Sequence, residues 1–222
     1  MYENVIQSFE DSLNDEVFET FAFNMAVNEL KNSKNHLNFL IAPPGAGKSF
    51  LLTHTFKDAI FLKALLTKEE IDNNLTTQKL IIIDEAQLLE PKLIEYIRIL
   101  TDTKQYRFLL SMHLKEAKEI LEKEHFKSRS INIVELKPIT KEEMNRYINK
   151  KLLLNNANHL FSKKEFSTIY NYTKGNFRNI KKFSKTIFEL LDFATKNNIK
   201  KHMKINSCLI TMAALHLGFI ND

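Results

Sequence analysis

Two short stretches of this sequence hold residue types that chemistry needs at fixed spacing. The first is Ala42-Pro43-Pro44-Gly45-Ala46-Gly47-Lys48-Ser49. Glycines at 45 and 47 let a backbone curl so that successive N–H groups face one anion with no Cβ in the way. An apolar run precedes the loop and a helical pattern follows it, so the helix start adds its positive dipole end. The stretch has the phosphate-loop pattern G-x-x-x-x-G-K-[ST], with Ala42 where the first glycine usually stands. On this reading Pro44, Gly45, Ala46, Gly47, Lys48, Ser49 and Phe50 surround the phosphates of ATP. Lys48 reaches the β- and γ-phosphates, and Ser49 ligates Mg²⁺.

The second stretch is Ile81-Ile82-Ile83-Asp84-Glu85-Ala86-Gln87, an apolar strand ending in two carboxylates. Ligands of open parallel sheets bind at the carboxyl ends of the strands, where this pair falls. Asp84 is expected to hold Mg²⁺, and Glu85 to polarise the attacking water as a general base. The Asp-Glu-Ala-Gln run also occurs in two-lobed helicases. Those need a second motor domain of similar size, which 84 residues of helical pattern after position 138 do not supply.

These residues need a scaffold, and the hydrophobic periodicity supplies one. Strands are expected at 36–41, 59–63, 79–84, 106–111 and 130–136, and helices at 15–31, 50–56, 90–103 and 114–123. Thr67-Lys68-Glu69-Glu70 has the form of a capping box at another helix start. Alternating strands and helices imply a five-stranded, doubly wound parallel α/β sheet. After Pro138 the pattern becomes wholly helical, over 140–155, 162–174, 176–196 and 205–218. The expected domains are a nucleotide-binding core with its N-terminal helix at 1–138 and an all-helical domain at 139–222.

Composition agrees. Four glycines and four prolines in 222 residues exclude collagen-like and linker-like chains and disfavour a turn-rich all-β protein. A single cysteine excludes a disulfide framework or cysteine metal cluster. The opening residues are polar and acidic, unlike a signal peptide, and no apolar run reaches the roughly 18 residues of a membrane span. A cytoplasmic location is expected. Charge is uneven: residues 1–139 hold 17 Lys and Arg against 21 Asp and Glu, whereas residues 140–206 hold 15 against 5. The basic second part could meet nucleic acid or acidic lipid. It could equally be a solvated lysine face, since 27 of the 32 cations are lysine throughout. The C-terminal helix, 205–220, is apolar on more than one face and suits core burial or partner docking.

Together the phosphate loop, the Asp84-Glu85 strand end and the helical domain after the fifth strand resemble the AAA+ P-loop ATPases. Within them the chain resembles the general-secretion-pathway A type and its relatives in transposition. The segments carrying that resemblance are Phe61-Leu-Lys-Ala-Leu-Leu-Thr-Lys-Glu-Glu-Ile71, the Asp-Glu-Ala-Gln run, and Leu136-Lys-Pro-Ile-Thr-Lys-Glu-Glu-Met-Asn-Arg-Tyr-Ile148, along with a helix before the first strand. The stretch from Glu70 to Lys79 is shorter than that group's insert, and the membrane span and wall-binding domain of the secretion relatives do not occur in these residues. The resemblance implies a sensor 1 at the end of the fourth strand, Ser111 or alternatively His113. It implies a sensor 2 arginine, Arg178 in Gly175-Asn-Phe-Arg-Asn-Ile180, over the γ-phosphate. It also implies an arginine finger, Arg129, given to a neighbouring copy in an ATP-dependent homo-oligomer. The implied work is assembly or transport in a secretion, competence or pilus-like machine, peripheral at the inner membrane through a membrane-associated component. The alternative is a DNA-binding ATPase of the transposition or replication-loader type, contacting DNA through the basic helical domain.

Overall fold

The structure, a computed structural model, describes residues 2–10, 17–127, 130–157 and 161–220. Contacts divide the chain into two units, one of Phe21–Lys137 and one joining Met1–Thr20 to Pro138–Asp222.

The first unit is a three-layer α/β body. Its elements in order are α2 (Phe21–Asn32), β1 (Leu37–Ala42), α3 (Lys48–Thr55), β2 (Ile60–Leu62), α4 (Lys68–Asn73), β3 (Leu80–Ile83), α5 (Pro91–Asp102), β4 (Arg107–His113), α6 (Leu114–Leu121), α7 (Glu124–Lys127) and β5 (Asn132–Glu135), with α1 (Glu3–Ser8) preceding them in the other unit. All strand pairs are parallel, in the order β2-β3-β4-β1-β5. Every residue of β1 is buried, as required of a central strand covered on both faces. Side chains alternate between the faces. Phe39, Ile81, Ile83, Phe108 and Leu110 pack with Ile94 and Ile97 of α5 and Ala117 of α6. Leu40, Ile82 and Leu109 pack with Ala26 and Leu30 of α2 and Leu51 and Leu52 of α3. The edge strands β2 and β5 expose Phe61 and Ile133.

The second unit is helical: α1, then α8 (Lys141–Leu154), α9 (Lys163–Thr173), α10 (Phe177–Lys196) and α11 (Ser207–His216). Capping boxes start α8 (Thr140 with Glu143) and α9 (Ser162 with Glu165), each satisfying two backbone N–H groups that the helix leaves unpaired. The core is aromatic, with Phe9 stacked on Phe188 at 6.1 Å and Tyr2 at 5.9 Å from the same ring. Leu209, Ile210, Ala213 and Ala214 place α11 in that core. Among the described residues no helix is long and apolar enough to cross a membrane.

Two expectations differ from the structure. The division at 138 is where the contacts change, but residues 1–20 group with the helical unit rather than with the nucleotide core. The cause is burial: Tyr2, Val5 and Phe9 enter the helical core, and the Phe18 ring lies 5.3 Å from that of Tyr147. Phe18 therefore leaves the apolar stripe that suggested a helix over 15–31, and α2 starts at Phe21. The second difference is β4, which runs to His113, two residues beyond the expected end at Ser111.

Candidate nucleotide site

In a parallel sheet the carboxyl ends of neighbouring strands lie on one edge, and β3, β4 and β1 are neighbours. The loop after β1, the acids after β3 and the end of β4 therefore share that edge. The registers fix the alignment: Ala42 pairs with His113, and Ile83 with Leu110. One further step along β3 and β4 sets Asp84 level with Ser111.

Ala42 is fully buried as the last residue of β1, so its methyl group fills core space and the turn begins only at Pro43. Gly45 and Gly47 have φ of 77° and 99°, the region that side chains disfavour. Gly47 caps α3, and a Cβ there would meet nothing within 4 Å. Its requirement is conformational, and the space beside it is open. Lys48 opens α3 with only 5% of its surface exposed, while Ser49 and Pro44 are exposed and Phe50 is half-buried beside His54, ring centroids 4.0 Å apart. The first-turn N–H groups of α3 have no acceptor within the helix. A buried lysine, an open left-handed loop and a helix start whose first amides have no acceptor within the helix together suit a phosphate anion, so these residues fit ATP.

Asp84 follows β3, and its Oδ1 accepts a hydrogen bond from the Glu85 backbone N–H at 2.9 Å. Glu85 is itself left-handed, φ 53° and ψ 37°, which turns its side chain off the strand line. The Glu85 carboxylate is held from two sides. Gln87 Nε2 donates to Glu85 Oε2, and His113 Nε2 stands 3.2 Å from the same oxygen. Gln87 Oε1 in turn accepts from the His113 backbone N–H at 3.3 Å.

Of the two sensor 1 candidates, the structure puts His113 against Glu85 and Ser111 inside the sheet. Ser111 is fully buried on the face it shares with Leu109, and its Oγ has no hydrogen-bond partner among the described residues. Gln87 was not singled out from sequence, although it lies in the Asp-Glu-Ala-Gln run itself. A glutamine two residues after an acid carries no signal of its bonding until the β4 register is known.

Arg178 belongs to the helical unit, as the second residue of α10, and its side chain is exposed. Asn176 caps α10, accepting from the Asn179 N–H. The left-handed residues Lys174 and Gly175 precede it. Lys174 is the C-cap of α9. Arg129 lies outside the described residues.

No family model matches the chain, and no curated protein matches it. Solved structures do. The Thermotoga maritima RuvB Holliday junction branch migration motor aligns over 93% of this chain and 72% of its own at 17% identity, TM-score 0.59. A Walker-type ATPase of Pyrococcus abyssi aligns over 87% and 75% at 13% identity, TM-score 0.65. Domain III of the Thermotoga maritima replication initiation protein DnaA aligns over 99% and 98% at 15% identity, TM-score 0.54. Taken with the parallel sheet and the helical unit, these likenesses establish that the chain has the fold of the AAA+ P-loop ATPases.

Proposed function

We propose that this protein binds Mg-ATP and hydrolyses it to ADP and phosphate. The observation that carries the proposal is the shared edge on which the Gly45–Lys48 loop, after β1, faces Asp84 and the restrained Glu85 carboxylate, after β3, with the end of β4 between them. Lys48 and the α3 amides would bind the phosphates. Ser49 and Asp84 would hold Mg²⁺, which supplies charge neutralisation at the phosphoryl oxygens. Glu85 orients the water and accepts its proton. Ser111 or His113, Arg178 from the helical unit, and Arg129 from a second copy complete the expected set. Lys48→Ala tests the reading: nucleotide affinity and phosphate release should both collapse. Hydrolysis at the parental rate would refute it.

A second reading concerns what the hydrolysis serves. From Phe193 to His216 the chain has no acidic residue, while Lys200, Lys201 and Lys204 are exposed and carry no ion pair among the described residues. Lys185 and Lys196, by contrast, are bound to Glu10, Asp192 and Glu3 within the unit. An unneutralised basic turn favours DNA as the partner, and two structural neighbours are named a Holliday junction motor and a replication initiation protein. The secretion or DNA-uptake assignment, with its membrane-associated component, rests on the sequence resemblance. Duplex DNA binding that weakens with salt, and loses about three units of slope in Lys200→Glu/Lys201→Glu/Lys204→Glu, would support the DNA reading. Binding to anionic vesicles instead would support peripheral membrane attachment. An Arg129→Ala protein restored to activity by mixing with Glu85→Gln would support an ATP-dependent homo-oligomer with a finger in trans.

A further inference from the structure

We infer that Gln87 is a positioning residue for Glu85, tying its carboxylate to the end of β4 and so setting the turnover rate rather than nucleotide affinity. The inference rests on the reading of Glu85 as the residue that activates water. A backbone N–H can only donate, so the amide oxygen of Gln87 must face the His113 N–H. That orientation leaves Nε2 facing Glu85, where it donates to Oε2. Both ends of one amide are thereby used, one on the acid and one on the strand. His113 Nε2 approaches the same Oε2. Two contacts on one oxygen fix the carboxylate torsion, and the other oxygen, Oε1, takes neither of them.

This clamp also fits the backbone. Glu85 is one of five non-glycine residues with positive φ among the described residues, a conformation that surrounding contacts must enforce. The 3₁₀ turn Ala86–Leu88 follows at once, closed by Leu88 N–H to the Glu85 carbonyl at 3.0 Å. That turn brings Gln87 back over Glu85. A shorter amide at 87 cannot span from the carboxylate to the β4 backbone. A carboxylate at 87 can still accept from His113 but cannot donate to Glu85.

The test compares Gln87→Ala, Gln87→Asn and the nearly isosteric Gln87→Glu with the parent in steady-state hydrolysis, equilibrium nucleotide binding and thermal melting. Positioning predicts kcat down by about tenfold or more in all three, with nucleotide Kd within about twofold. The melting midpoint of Gln87→Glu should stay near the parent's, and in a Glu85→Gln background Gln87→Glu should cost nothing further. Parental kcat in Gln87→Glu, or an equal loss in the Glu85→Gln background, would overturn the inference. So would a kcat loss matched by an equal loss of nucleotide binding. Its failure is separable from that of the nucleotide reading, because only the latter predicts the Lys48→Ala result.

Discussion

A Cβ placed on Gly175 would stand 2.3 Å from the backbone carbonyl oxygen of Ile139. The two residues are joined there, since the Ile139 N–H donates to the Gly175 carbonyl at 3.1 Å. The segment leading into α8 is thus pressed against the turn that starts α10 and carries Arg178. Gly175 also has φ of 70°. Gly175→Ala meets both a backbone clash and a disfavoured conformation, and should destabilise the helical unit by about 2–4 kcal/mol. Denaturant unfolding checks this. A variant within about 0.5 kcal/mol of the parent would mean that the turn relaxes freely.

Gly47 sets a contrasting case. Nothing surrounds its missing Cβ, so Gly47→Ala carries only the backbone penalty of about 1–2 kcal/mol at its φ of 99°. The structure can escape that penalty by reshaping the loop. Nucleotide affinity should fall at least tenfold while thermal stability without nucleotide changes little, read by titration and melting on the same preparation.

Asp192 is held to about 2 by its bond to Lys196, helped by the Tyr2 backbone N–H and opposed by its burial. A carboxylate depressed in the folded state contributes stability that is present above its unfolded value of about 3.9 and lost as pH falls through about 2. Asp192→Asn should therefore be less stable than the parent to denaturant at neutral pH, by about 1–3 kcal/mol, and the gap should close between about pH 4 and pH 2. A gap independent of pH over that window would place the effect in packing alone.

Tyr96 on α5 donates its hydroxyl proton to Asp72 on α4, and that bond raises the phenol to about 12. The bond contributes below the ordinary phenol value of about 10 and is lost as pH rises through about 12. Absorbance titration at tyrosinate wavelengths should show one phenol moving back toward 10 in Asp72→Asn. An unchanged titration curve would rule the bond out.

The sheet was legible because its strands are buried on both faces, and Ile81–Ile83 and Leu37–Ala42 can be little else. Thr67, Thr140 and Ser162 each stand three residues before a glutamate, so those helix starts could be read or inferred from spacing alone. Gly45, Gly47 and Lys48 declare themselves because their geometry is local. What sequence could not show is nonlocal. Gln87 meets His113 only through the β3–β4 register, and Phe18 leaves its helical stripe for Tyr147, 129 residues along. The helix Glu3–Ser8 was not foreseen, because one buried valine in six residues leaves no periodicity to detect.

The bond from Tyr2 to Asp192 spans 190 positions. During synthesis at about 5–20 residues per second, the first helix must wait on the order of ten seconds or longer for its seat on α10. The α/β unit, by contrast, is continuous from Phe21 to Lys137 and is complete before most of the helical unit exists. In sequence the α/β unit is thus an insertion in the helical one, synthesised whole between its two segments. Tyr2, Val5 and Phe9 have no seat until α10 has been made, so residues 2–9 carry apolar side chains that need protection in the nascent chain.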